Sequence, residues 1–137
     1  MGKSTTPEKS LLQGDDYTCP VGPDTAHPVL SPGKVVRNLL HAEALPPEAW
    51  GSYRGVYLPS TTVTVGQMVD TVRDVAGEAV AARVRYQPDP FIEEIVGGWP
   101  TTFAPGRALE MGFKKDSGVR EIVEAFIEDD LDGTVAI

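Results

Sequence analysis

A strongly capped helix over 64–77 constrains the fold of this chain more than any other stretch. Thr64 and Gln67 stand three residues apart, the spacing at which each side chain bonds the backbone N–H of the other residue in a capping box. Apolar residues then recur with the period of one buried helix face, at Val65, Met68, Val69, Val72 and Ala76. Gly77 follows as the C-terminal stop. The run 55–58 before the helix predicts a buried strand, so the chain is expected to be organised around a strand–loop–helix unit.

The rest of the chain predicts four further helices and one further strand. The helices are expected over 32–45, 90–97, 105–111 and 118–130, and a half-exposed strand over 83–87. Asp89 and Ser117 stand where the N-caps of two of these helices are expected. The helix from Pro32 carries an apolar stripe formed by Val35, Val36, Leu39 and Leu40. Four prolines within 17–32 favour an ordered, extended loop in that segment.

This order of elements predicts a single, helix-rich α/β (α+β) domain with two or three strands. We expect it to span 17–131, with a flexible arm over 1–16 and a tail over 132–137. So few strands cannot cover this many amphipathic helices, and open sheet edges need covering. A homodimer or a partner protein is therefore expected, with the strand near Val56 and the helix over 35–40 as the interacting patches.

Charge and cysteine content exclude several classes of partner. The chain has 137 residues and a formal charge of −8, which repels nucleic acid and anionic membranes. Cys19 is the single cysteine, so no internal disulfide forms and a reducing compartment suits the chain. No secretory signal or membrane-spanning run is present, and a cytoplasmic location is expected. One cysteine and two scattered histidines give no metal-ligand spacing, so no metal is expected.

Several short motifs, in their order and spacing, resemble one enzyme family. They are Ser31-Pro32, Val35-Val36, Tyr57-Leu58-Pro59, Thr64 to Val69, Pro88-Asp89, Ile92, Ile95-Val96, Trp99-Pro100, Arg107-Ala108-Leu109, Gly112-Phe113 and Ile127 to Asp130. Together they resemble the C-terminal, substrate-binding part of extended short-chain dehydrogenases, in the D-erythronate dehydrogenase-like branch of the NAD-dependent epimerase/dehydratase family. The resemblance covers about 19–131.

Two features of that family are missing from this sequence. There is no glycine-rich turn of the kind that binds a dinucleotide after a strand, and Gly97-Gly98 follows a predicted helix instead. None of the four tyrosines opens the family's Tyr-x-x-x-Lys motif. The resemblance therefore implies the substrate-binding half without the cofactor-binding half. No cofactor is expected on this chain, and by analogy it would not transfer hydride alone.

His27 and Asp24 are the candidates for proton transfer. They share the proline-rich loop, which the resemblance places beside the substrate pocket. A histidine can act as an acid or a base near neutral pH, and a nearby carboxylate would raise its pKa. The alternative is a solvated loop histidine.

The candidate substrate contacts are hydroxyl, aromatic and cationic side chains: Ser31, Tyr57, Ser60, Thr61, Thr62, Trp99 and Arg107. Ser31 is also the expected N-cap of its helix, and Ser60 to Thr62 also suit a turn. Arg107 suits a substrate carboxylate but also pairing with protein acids. The family has an Asp shortly before this Arg, and here 103–106 lacks it. Tyr57 and Trp99 also suit a core.

Three hypotheses about function remain open. The first, which we favour, is an enzyme: a small-molecule catalyst that works without a nicotinamide cofactor, of the isomerase, cyclase or dehydratase type. The second is the substrate-domain subunit of a split NAD-dependent dehydrogenase or epimerase, which needs a dinucleotide-binding partner chain. The third is a decayed fragment.

Overall fold

The computed structural model describes residues 11–135, and Leu11 and Leu12 are helical at its start. The strands within this range are β1 (Tyr17–Cys19), β2 (Ala26–Val29), β3 (Thr61–Thr64) and β4 (Val84–Tyr86). The helices are α1 (Pro32–Ala44), α2 (Pro47–Trp50), α3 (Val65–Ala76), α4 (Glu78–Ala81), α5 (Pro90–Gly97), α6 (Gly106–Glu110) and α7 (Val119–Leu131). The predicted helix-rich α+β class is confirmed, although the described residues contain four short strands where two or three were expected.

The four strands form two separate two-stranded sheets. β1 and β4 pair in parallel, with Tyr17 opposite Val84 and Cys19 opposite Tyr86. β2 and β3 pair antiparallel, with Ala26 opposite Thr64. The two sheets are joined through α3, which begins directly after β3.

The capped helix α3 is formed as predicted and carries the core. Thr64 Oγ1 accepts the Gln67 N–H at 3.1 Å, and Gln67 Oε1 accepts the Thr64 N–H at 2.8 Å. Gly77 ends the helix at a φ of 93°. The central cluster of fully buried side chains comprises Leu11, Leu12, Val72, Val80 and Val123. The core thus lies between α3, α4, α7 and the segment before β1.

That cluster corrects the prediction of a flexible arm over 1–16. Leu11 and Leu12 have no exposed surface, because they fill the space between α3, α4 and α7. Residues 1–10 of the predicted arm lie outside the described residues. At the other end, Val135 packs partly against the same cluster, while 136–137 of the predicted tail also lie outside the described residues.

Three other local predictions were wrong. The run 55–58 forms no strand; the strand lies at Thr61–Thr64 instead, where β-branched side chains pair with β2. The segment 17–32 is correspondingly not one loop, since it contains β1 and β2. Ser117 does not cap α7, because Gly118 is the N-cap, and the Ser117 N–H donates to Glu121 Oε2 at 2.6 Å.

Polar side chains hold α1 against the segment 111–116. Asn38 is buried and exchanges two hydrogen bonds with the Lys114 backbone, at 2.8 and 2.9 Å. His41 Nε2 lies 2.8 Å from the Met111 carbonyl oxygen. Because these residues share one side of α1, much of its apolar stripe lies on the other side. Across residues 11–135, none of the helices combines the length and the apolar character needed to cross a membrane.

Candidate functional site

An apolar cleft of about 400 Å³ opens at the carboxyl end of β1. Its walls come from the turn after β1, from β2, from α3 and from α5, and include Pro20, Val21, His27, Met68, Ile92 and Trp99. The carboxyl ends of parallel strands are the usual position of ligand sites in open α/β folds. We refer to this feature as the β1 cleft.

His27 is the imidazole of the β1 cleft. It lies on β2 opposite Val63 and is partly buried. Its ring centroid lies 6.1 Å from that of Trp99, at an interplanar angle of 59°. Within the described residues, no hydrogen bond to its ring nitrogens is found, so they remain available to a ligand.

The structure does not bring His27 and Asp24 together as an acid–base pair. Asp24 is exposed in a turn that is closed by the bond from the Thr25 N–H to the Gly22 carbonyl, at 3.1 Å. No ion pair joins it to His27 in the part of the chain that the structure describes. A proton relay between these two side chains is therefore not formed in this conformation.

Ser31 is bound to a buried carboxylate. Its N–H donates to Asp116 Oδ2 and its hydroxyl to Asp116 Oδ1, both at 2.7 Å. The hydroxyl also accepts the Lys34 N–H at 3.4 Å, as the predicted N-cap. Ser31 is 4% exposed and Asp116 is 1% exposed. A ligand would have to displace Asp116 in order to reach the Ser31 hydroxyl.

Of the predicted hydroxyls at Ser60, Thr61 and Thr62, two bond to protein carbonyls and one lines a second groove. Thr61 Oγ1 donates to the Asp116 carbonyl at 3.2 Å, and Thr62 Oγ1 donates to the Thr101 carbonyl at 2.7 Å. Ser60 lines a groove of about 230 Å³ together with Tyr57. Of these three hydroxyls, that of Ser60 makes no hydrogen bond within the described residues.

Arg107 clamps the segment 50–55. Its guanidinium donates to the carbonyl oxygens of Gly55, Trp50 and Tyr53, the last two at 2.7 and 2.6 Å. The guanidinium carbon also lies 5.4 Å from the centroid of the Tyr53 ring. The clamp forms one wall of a cavity of about 330 Å³ whose opposite wall includes Tyr57. Backbone carbonyl groups therefore already bind most of the guanidinium N–H donors with which Arg107 was expected to hold a substrate carboxylate.

The predicted aromatic contacts lie in different places. Tyr57 is 66% exposed and stacks on Phe103, with a centroid distance of 5.1 Å and an interplanar angle of 17°. Trp99 is 55% exposed at the mouth of the β1 cleft. Of the nine predicted site residues, His27 and Trp99 thus share one cavity, while Tyr57 and Arg107 share another.

Sequence reasoning missed Asp116, Asn38 and Cys19 as organising residues. Asp116 lies 85 residues from Ser31, and no local period links them. Cys19 lines the β1 cleft, where burial raises the pKa of its thiol, and the thiol donates to the Val21 carbonyl at 3.3 Å. The roles of these residues depend on burial in the folded chain, and no local sequence pattern indicates it.

The strand-to-helix junction between β3 and α3 does not fit a dinucleotide phosphate. A phosphate binds there through free N–H groups of the first helical turn. In this chain the Val65 N–H donates to the Thr25 carbonyl, the Gly66 N–H to the Pro23 carbonyl and the Gln67 N–H to Thr64 Oγ1. In addition, a β-carbon on Gly66 would lie 3.2 Å from the Pro23 carbonyl oxygen, so backbone already fills the space beside it.

A helix-rich α+β unit, with a cleft at the end of a parallel strand pair, is the architecture of part of an epimerase or dehydrogenase fold. A nucleoside-diphosphate-sugar epimerase from Agrobacterium tumefaciens superimposes on 96% of this chain, with a TM-score of 0.91 at 32% identity, and 39% of that structure is covered. No protein-family model matches the chain.

Two curated relatives give the more particular similarity. The chain is 40% identical to the D-erythronate dehydrogenase of Cupriavidus necator over 118 residues, which are 86% of this chain and 36% of that enzyme. It is 37% identical to the D-erythronate dehydrogenase of Haemophilus influenzae over 120 residues, which are 88% of this chain and 38% of that enzyme. The resemblance found in the motifs is confirmed: the chain is related to the D-erythronate dehydrogenase-like branch of extended short-chain dehydrogenases. It spans little more than a third of the length of these relatives.

Proposed function

We propose that this chain is the substrate-binding part of a dehydrogenase or epimerase of this family, and that a separate dinucleotide-binding part completes the reacting site. The relatives suggest D-erythronate, or a similar hydroxy acid, as the first substrate to test. The cytoplasm is the compartment in which we expect it to work.

The observation that carries this proposal is the two-stranded parallel ladder of β1 and β4. Parallel sheets normally have more strands and are covered on both faces, and isolated strand pairs are only marginally stable. The Tyr17 N–H donates to the Arg83 carbonyl and the Gln87 N–H to the Cys19 carbonyl, so Tyr17 and Cys19 face β4. Backbone groups alternate along a parallel strand, and those of Thr18 therefore face the other edge. Among residues 11–135, no strand pairs with that edge.

The β1 cleft is the proposed substrate site. The cleft begins where β1 ends, so a strand of the dinucleotide-binding part that pairs with β1 would end beside the same cleft. His27 would hydrogen-bond a substrate oxygen there, and Trp99 would shield the bound molecule from water. A cofactor-independent catalyst, the first hypothesis from the sequence, is less well supported, because its acid–base pair of His27 and Asp24 is not assembled.

Reconstitution tests the proposal. The purified chain is mixed with the portion of the Cupriavidus necator enzyme that it does not match, and NADH formation from D-erythronate and NAD is followed by absorbance. We expect turnover with both polypeptides present and none with either alone. Turnover by this chain alone, or complexation without any turnover on a panel of hydroxy acids, would contradict the proposal.

A matched pair of variants tests the edge itself. Thr18→Pro removes the outward N–H of β1 and leaves the bonds to β4, since edge positions tolerate proline. Thr18→Ala removes the same exposed side chain but keeps the N–H. We expect Thr18→Pro to abolish reconstitution and Thr18→Ala to preserve it. Equal activity of the two variants would show that β1 receives no strand.

A further inference from the structure

The β1 cleft has a largely apolar lining. Val21 and Val65 are buried there, and Ile92 and Val96 pack against them. Among the described residues that line the cleft there is no lysine, arginine, aspartate or glutamate. The cleft therefore offers a ligand apolar surface and no charged partner.

Backbone carbonyls beside the cleft are already bonded to protein groups. The Cys19 carbonyl accepts the Gln87 N–H and the Pro20 carbonyl accepts the Asp89 N–H, both at 2.8 Å. The Val21 carbonyl accepts the Cys19 thiol at 3.3 Å. The ring nitrogens of His27 differ, because they make no hydrogen bond within the described residues. His27 is therefore the group in this lining that can bond a ligand oxygen without first breaking a bond inside the protein.

We propose that the β1 cleft binds the apolar tail, branched aliphatic or aromatic, of a hydroxy acid, and that His27 bonds the hydroxyl group beside that tail. The carboxylate of such a molecule stays at the open side of the cleft, where it keeps its water. This inference rests on the proposed function, because it takes the β1 cleft as the substrate site, and it names the class of substrate.

A fully hydroxylated chain fits this lining poorly. Every carbon of D-erythronate beyond the carboxylate carries a hydroxyl group, and each hydroxyl that enters the cleft loses its hydrogen bonds to water. The imidazole of His27 can replace those bonds for one hydroxyl but not for all of them. An unpaired hydroxyl in an apolar pocket weakens binding by up to roughly a hundredfold. We therefore expect the cleft to prefer a tail without hydroxyl groups.

The size of the cleft and its aromatic edge fit a tail as large as a phenyl ring. Its volume of about 400 Å³ lies within the range of small-molecule sites, roughly 300–1,000 Å³. Trp99 is 55% exposed at the mouth, so its ring has surface left for an edge-to-face contact with a second ring. The Met68 thioether also lines the cleft, and sulfur makes favourable contacts with ring edges.

Isothermal titration calorimetry of the full chain tests the ligand class with three probes. D-3-phenyllactate, D-2-hydroxybutanoate and D-erythronate share a carboxylate and a 2-hydroxyl group and differ only beyond the second carbon. We expect affinity to fall in that order, with D-3-phenyllactate at least about tenfold tighter than D-erythronate. Equal or tighter binding of D-erythronate would overturn the proposal. Absence of binding by D-3-phenyllactate would also overturn it, and would leave the apolar lining to side chains of the dinucleotide-binding part.

A matched pair of variants places the bound tail in the cleft. Val96→Phe adds a ring that fills part of the cleft, and Val36→Phe makes the same change on α1, where Val36 is 55% exposed outside the cleft. We expect Val96→Phe to weaken D-3-phenyllactate binding at least about tenfold and Val36→Phe to leave it unchanged. Thermal melts check that both variants fold. Unchanged binding by folded Val96→Phe would refute the site, while the order of the three probes tests the ligand class without any variant.

Reconstitution distinguishes a failure of this inference from a failure of the proposed function. Turnover of D-erythronate by the two mixed polypeptides, with no tighter binding of D-3-phenyllactate to this chain, would refute the inference alone. Binding of D-3-phenyllactate that Val96→Phe abolishes, with no turnover of any hydroxy acid after mixing, would refute the proposed function alone.

Discussion

Replacing Ser31 by alanine tests whether this residue is a structural anchor or a ligand contact. Its hydroxyl donates to the buried Asp116 carboxylate at 2.7 Å and accepts the Lys34 N–H at 3.4 Å. Ser31→Ala removes both bonds and keeps the third, from the Ser31 N–H to Asp116 Oδ2. The variant therefore isolates what the hydroxyl contributes.

The expected loss follows from the two bonds. A hydrogen bond to a charged group contributes roughly 1.5–3 kcal/mol, because the buried carboxylate is otherwise left partly unsatisfied. The N-cap bond is long and contributes at most about 1 kcal/mol. The sum is about 1.5–4 kcal/mol, a large share of the roughly 5–15 kcal/mol that holds a domain folded.

Urea denaturation followed by circular dichroism measures this loss. Ser60→Ala is the matched control, because Ser60 lines the groove beside Tyr57 and uses no hydrogen bond within the described residues. We expect the control to change the free energy of unfolding by less than about 0.5 kcal/mol. A similarly small change in Ser31→Ala would refute the anchoring role and leave the hydroxyl to a ligand.

Three further predictions concern the core, acid stability and the thiol. Leu12→Ala should cost about 2–5 kcal/mol in the same denaturation assay, because Leu12 is fully buried; a near-neutral effect would restore the flexible arm. The Ser117 N–H and then Lys34 lower the pKa of Glu121 to about 2, below its unfolded value of about 4.3. Its contribution is therefore present above about pH 4.3 and is lost as the pH falls toward 2, so thermal melts of Glu121→Gln should converge with those of the parent chain at low pH. Cys19, whose burial raises its pKa, should react with a disulfide reagent far more slowly in the folded chain than in urea.

Local signals were enough to predict most of the helices. The capping box at Thr64 and Gln67, the Asp89 cap and the Ser31 cap all form as expected, because each depends on residues within one turn. The strand over 84–86 was likewise predicted by its alternating pattern. The run 55–58 was apolar enough for a strand, but pairing decides strands, and β2 pairs with Thr61–Thr64 instead.

The site depended on contacts that no local pattern contains. Arg107 reaches carbonyl groups more than fifty residues away, and Ser31 meets Asp116 across 85 residues. Residue type alone made Arg107 a candidate anion ligand, since a guanidinium binds carboxylates well. The structure adds that three backbone carbonyls already occupy it, which the sequence could not reveal.

The orientation of α1 shows what an apolar stripe does and does not imply. Periodicity identified Val36, Leu39 and Leu40 as one face, and that much is correct. Periodicity gives a face without saying which neighbour covers it, and here Asn38 and His41 turn the opposite face toward the segment 111–116. The hydrogen bonds of Asn38 and His41 hold α1 in this orientation, and three large apolar side chains then remain in water. Fully burying one such side chain contributes roughly 1.5–3 kcal/mol, so their exposure forgoes several kcal/mol of stabilisation. The apolar period of α1 therefore predicted its face correctly, but the residues that the structure describes leave that face exposed, because the long-range bonds of Asn38 and His41 decide which side of the helix packs.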